Sequence, residues 1–410
     1  MNFQEKLEKY AELAVCVGVN LQKGQEVVLQ SPCECAYFAR EIAAAAFRHG
    51  ARDVVVHYND EALQRIRLDN ASLETLKDIP QWLADSVNYY AERDAVMISI
   101  AASNPDIFEG ADPEKAAART RASRAATRPM TDARMLGRVR WNILSIPTAG
   151  WAKKVFPDLS EREAVEKLWE AIFTCVRMDE GDPVAAWKQH NEQLHRRTEY
   201  LNEMQFDSLH YQNSLGTDVT VGLPEHHIWS GGGDLDEKGV FYMPNIPTEE
   251  VFSLPHKDRV NGTLKSALPL NYGGHLIDNF SITYRDGKMT DFSAETGYEA
   301  LKSIFDTDEG ALRLGEIALV PYDSRISNLG ILFYNTLFDE NASCHFAIGS
   351  AYPSCLKDAD KMTPEQREAA GFNDSLTHVD FMVGTRDLSI TGRTKDGREI
   401  PIFVNGNWAF

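Results

Sequence analysis

The chain has 410 residues, 43% hydrophobic and 25% charged, a globular composition over a length that exceeds what one core usually supports. Forty-two basic residues against 61 acidic ones give a net charge of −19, which repels nucleic acid and anionic membranes and excludes both as expected partners. No run approaches the roughly eighteen apolar residues of a membrane span, and the N-terminus has early acidic residues and no apolar signal region. The six cysteines (16, 33, 35, 175, 344 and 355) are therefore expected as reduced thiols in a cytoplasmic protein.

In chain order, the first segment reads as an amphipathic helix leading into the strand EVVLQ, 26–30. An Ala-rich helix follows over 35–50, with Gly50 as its C-cap, and then the strand DVVVHY, 53–58. This βαβ unit predicts a parallel sheet, extended by DAVMISI (94–100) and RWNILSI (140–146). Between the last two strands, 112–140 is predicted helical and basic, with seven arginines; the expected role of those charges is solvated salt bridging. Two long helices follow, SEREAVEKLWEAIFTCVRM and DPVAAWKQHNEQLHRRTEYLNEM.

After Met204 strand-like stretches dominate: FDSLHYQ, TDVTVGL, HLIDNFSITYRDGKMTDFSA, EIALVPYDS and the run from His378 to the end. Asp286-Gly287 and Asp396-Gly397 sit between alternating runs and mark hairpins. The expected organisation is an α/β N-terminal domain with a mostly parallel sheet, 1–205, followed by an α+β catalytic domain rich in antiparallel strands, 206–410.

Several motifs are missing. There is no G-x-G-x-x-G, no phosphate-binding loop, no G-x-S-x-G elbow and no H-E-x-x-H helix. The N-terminal sheet is thus expected to be scaffold, with no cofactor-binding residues. The second half instead offers carboxylates and imidazoles among apolar residues: Glu249 and Glu250, Glu316, Glu340, His345, His378 and Asp380. If 376–383 is a strand, His378 and Asp380 project from one face, either as a wet face or as paired metal ligands. Taken singly, each residue also suits exposed surface or a buried structural histidine. Taken together, they suit a pair of divalent cations. Mixed N/O donors without thiolate fit Zn²⁺, Co²⁺ or Mn²⁺ better than Ca²⁺.

NIPTEEVFSLPHKDRVNGTL, GEIALVP, FDENASCHFAIGSAY and HVDFMVGT, in that order, resemble the motifs of the aminopeptidase T / aminopeptidase S family of dinuclear metalloaminopeptidases. The resemblance spans most of the chain and is strongest from about residue 206 onward. It implies metal ligands at Glu250, Glu316, His345, His378 and Asp380. Glu340 would be a further acidic ligand or a group just behind the ligands, and Tyr352 matches the family's active-site tyrosine. It also implies an exopeptidase acting on peptides with a free N-terminus, two divalent ions per chain and a homodimer. With the ions bound, Glu316 is expected to bridge them, and Glu250, Glu316 or Glu340 to relay a proton. Tyr352 would donate to the oxyanion or complete a metal shell. A metal-dependent amidohydrolase or deaminase, and a ligand-binding protein with structural metals, are the competing readings.

Overall fold

The computed structural model describes residues 1–273 and 275–410. Contacts divide the chain into two compact units, one made of 1–188 with 233–247 and the other of 189–232 with 248–410.

The first unit is built on a four-stranded parallel sheet, ordered Asp53–Asn59, Glu26–Pro32, Ala95–Ile100, Arg140–Leu144. Val27, Val28 and Leu29 are buried in succession, which requires that both faces of the sheet be covered. Helices Phe3–Leu13 and Ala36–Arg48 contribute to that cover, and Gly50, past the end of the second, adopts φ +90°. The basic segment expected to be helical over 112–140 forms two helices, Pro113–Ala126 and Arg128–Met135, followed by strand Arg140–Leu144. Pro129 lacks an N–H and is accommodated in the first turn of a new helix, so the chain restarts there. Arg140 does not belong to the solvated basic face: it is buried against the Asp236 carboxylate and also donates to Val19 O.

In the second unit, the expected antiparallel strands form an eight-stranded and a five-stranded sheet. Long helix Pro183–Met204 runs past the junction at 188/189, and its Leu194 and Leu201 join the second unit's core. The residue range of that unit therefore begins inside the helix, upstream of the texture change at Met204. Within the eight-stranded sheet, Asp286 and Gly287 take φ +49° and +76° between strands Ser281–Arg285 and Lys288–Ser293. Two consecutive positive φ angles define the tight hairpin turn that matches strand twist. A Cβ on Gly287 would lie 1.7 Å from Lys257 O, so the turn also has no room for a side chain.

The five-stranded antiparallel sheet has the order His378–Met382, His345–Gly349, Leu314–Leu319, Val251–Ser253, Ser230–Gly231. Its register pairs Phe346 with both Phe381 and Ile317, and Ile348 with both Val379 and Leu314. Those residues form one apolar face and belong to the unit's main core. The alternate residues form the other face.

Candidate metal centre

Cross-strand partners in an antiparallel sheet share a face. Glu316 pairs with Ala347, and Ala347 with Asp380, so the two carboxylates lie on one row with a methyl group between them. One step along, Ala318 pairs with His345, and Phe252 with Ala318. One step the other way, Gly349 pairs with His378. Glu250 immediately precedes Val251–Ser253, two residues before Phe252. This polar face therefore carries Glu250, Glu316, His345, His378 and Asp380, with Ala318, Ala347 and Gly349 leaving space among them.

The expected residues meet in two groups, Glu250/Glu316/His345 and Glu316/His378/Asp380. In each, one donor atom per residue lies within 4.8 Å of the others. His345 Nε2 is 3.2 Å from Glu250 Oε2 and 3.8 Å from Glu316 Oε1. His378 Nε2 is 3.2 Å from Glu316 Oε2 and 3.3 Å from Asp380 Oδ1. Glu316 thus turns one oxygen toward each imidazole. Each ring also faces a backbone carbonyl through Nδ1, His345 with Ser343 O at 3.0 Å and His378 with Ser350 O at 2.7 Å. A carbonyl only accepts, so both Nδ1 atoms carry a proton and donate; a proton on Nε2 donates to the carboxylates, and its loss frees the Nε2 lone pair for a cation.

Burial makes this cluster electrically demanding. Glu316 is held above the ordinary carboxylate range by burial and by its neighbours Asp380 and Glu250, although His378 pulls it down. Burial alone would depress His345, yet the adjacent Glu250, with Asp380 and Glu316, pushes it up to about 10. His378 is raised for the same reason: burial is overcome by Asp380 and Glu316. Asp380 stays low despite burial because His378 and His345 face it. Concentrated carboxylates around neutral-capable imidazoles call for positive charge. Protons supply it in the metal-free chain, and divalent cations fit the same donors.

Glu340 is not in either group of converging donors. It caps the short helix Thr336–Asp339 and lines a cavity of about 50 Å³ with Asp380, Tyr334, Asn271 and Met382. Burial and the charges of Asp380 and Glu250 raise it well above the usual range. Tyr352 lies with its ring centroid 4.9 Å from that of His378. Burial and the nearby Glu316 push its hydroxyl up, which keeps it protonated. Glu249 points into a separate buried contact with His190, 3.5 Å away.

Sequence reasoning overlooked Asn341, which is fully buried. Its Oδ1 accepts from Glu249 N at 2.8 Å and its Nδ2 donates to Leu337 O at 3.0 Å, tying the Glu250 segment to the Glu340 segment. Its only signal is a polar residue inside the quoted stretch FDENASCHF.

The sequence profile of the thermophilic metalloprotease (M29) family matches residues 3–408. The chain is similar to aminopeptidase 2 of Geobacillus stearothermophilus, 48% identical over 408 residues covering 100% of this chain and 98% of that protein. It is 46% identical to aminopeptidase AmpS of Bacillus subtilis over 409 residues, covering 100% of both. Its fold superposes on wild-type AmpT from Thermus thermophilus with a TM-score of 0.94 at 40% identity, covering 100% of each chain.

Proposed function

From the premise that the chain belongs to the thermophilic metalloprotease (M29) family and is an aminopeptidase, we propose that it releases N-terminal residues with water activated between two divalent cations. The observation that carries this reading is the split of the Glu316 carboxylate, one oxygen toward His345 and the other toward His378. A carboxylate so disposed suits a bridge. Glu250 and His345 would complete one coordination shell, and His378 and Asp380 the other. When bound, Zn²⁺, Co²⁺ or Mn²⁺ ions supply Lewis acidity and lower the pKa of water toward neutrality.

The chain's own residues supply the rest. Glu340, beside Asp380 and outside the converging groups, would act once ionised: its carboxylate takes a proton from the attacking water and returns it to the leaving amine. The Tyr352 hydroxyl donates to the oxygen on which negative charge develops. The Nδ1 bonds of His345 and His378 to backbone carbonyls hold both rings in one tautomer throughout. The acidic surroundings favour a substrate whose free α-amine is protonated or metal-directed. A homodimer and a cytoplasmic location complete the proposal.

The test uses one peptide with a free N-terminus and the same peptide acetylated there. The free form should be cleaved from its first residue, cleavage should stop after chelation, and Co²⁺ or Zn²⁺ should restore it. Equal cleavage of the acetylated peptide would favour a general amidohydrolase.

A further inference from the structure

We propose that Gly315 is a positioning residue of this centre, setting Glu316 and His378 together through one backbone carbonyl; the inference rests on the two-metal reading above. Leu314 pairs with Ile348, but Glu316 pairs with Ala347, so the strand advances two residues while its partner advances one. Gly315 is the extra residue of a β-bulge. If Gly315 instead took a regular place opposite Ala347, Glu316 would fall opposite Phe346 on the core face, and Ile317 would fall opposite His345. Leu314 lies in the core and Glu316 on the opposite face, although residues two apart in a regular strand share a face.

Space, not backbone conformation, restricts this position, because Gly315 is not among the residues with positive φ. A Cβ there would lie 2.2 Å from Ser350 O, 2.3 Å from Gly349 O and 2.4 Å from Ser350 C. Ser350 O is the same carbonyl that accepts from His378 Nδ1. Ser350 cannot withdraw freely, since its N–H donates to Thr377 O at 2.8 Å. Asn373 Nδ2 holds the neighbouring Gly349 O at 2.6 Å. A side chain at 315 therefore meets the Ser350 carbonyl and swings the His378 ring through it. His345 is untouched by this route, because it is oriented by Ser343 O. The damage falls on the Glu316/His378/Asp380 group.

Gly315→Ala is to be compared with the parent chain, both stripped of metal and titrated calorimetrically with Zn²⁺. The parent should take up two ions per chain; if it does not, the two-metal reading fails and this inference was not the cause. In the variant, one binding step should weaken by about tenfold or more while the other changes less than about threefold. In the metal-free variant, the His378 Nδ1–H signal in the NMR spectrum should shift or vanish and that of His345 persist. Unchanged binding with an unchanged His378 signal would overturn the proposal. Equal weakening of both steps would also overturn it, by reducing Gly315 to general stability. If Gly315→Ala does not fold, Asn373→Ala, which loosens the 349–350 carbonyls without adding bulk, should give the same one-sided weakening, and the same two outcomes would overturn it.

Discussion

At the scale of single residues, charge and proton position govern the centre. Glu316→Gln keeps the size of the side chain but removes the charge directed at both imidazoles. Activity should fall by more than the roughly 10–100-fold that changes behind the ligands cost, and metal content should fall with it. Tyr352→Phe should lower kcat by about 100-fold or more with metal content unchanged, which metal analysis beside steady-state kinetics will separate. Proton competition gives a third expectation. The pKa of His345 is raised from 6.5 to about 10, so in the metal-free chain its imidazolium contributes stability that is complete below pH 6.5 and lost as pH rises through 10. A cation needs that ring neutral, so metal affinity should climb with pH across this window. Zinc added near neutral pH should release protons, measurable as acidification of a weakly buffered solution; a proton-neutral titration would refute this. The candidate residues stood out in the sequence as imidazoles and carboxylates inside apolar runs, but each singly also suits a structural role, and it was the resemblance of four ordered motifs that grouped them. Asn341 and Gly315 did not stand out, because an amide and a glycine acquire meaning only from what lies across a strand or loop.

At the scale of elements, the five-stranded sheet separates stability from chemistry by parity. Phe346 and Ala347 are adjacent, yet one packs in the core and the other separates two carboxylates. Phe346→Ala should cost about 3–5 kcal/mol in urea unfolding, as for other large core truncations. Ala347→Val should cost far less stability but place two methyl groups between Glu316 and Asp380, so metal uptake should fall while the unfolding midpoint moves little. Alternating runs and Asp-Gly turns made the hairpins readable, because period and turn chemistry are local. Strand His345–Gly349 is buried throughout and shows no alternation of apolar with polar, so its period was invisible. The bulge before Glu316 was invisible for a related reason: register is a relation between two strands. The basic segment is helical as read, but Pro129 divides it, a local signal that helical composition on either side obscured.

At the scale of the whole chain, the two units should respond differently to metal. All five residues of the two converging groups lie within the second unit, 189–232 with 248–410. Binding to the folded state alone stabilises by about 2.7 kcal/mol at 100 times Kd. Chelation should therefore lower the calorimetric transition of the second unit and leave that of the first in place, provided the two melt separately; a single coupled transition would show that the units unfold together. Charge and length set these expectations of two bodies and an acidic surface, but residues 233–247 returning to the first unit is an arrangement that no compositional boundary announces.

Ala347 has a further consequence. Hydrogen-bonded strands repeat at about 4.8 Å, so side chains rooted two strands apart start nearly 10 Å from each other. Glu316 and Asp380 are rooted two strands apart with Ala347 between them, and only a long carboxylate reaching across a small neighbour closes that gap. The spacing of the ions would then be ruled by the lattice of backbone amides, with the flexible glutamate absorbing differences in ionic radius. Exchanging one divalent ion for another should alter rate more readily than it alters the protein.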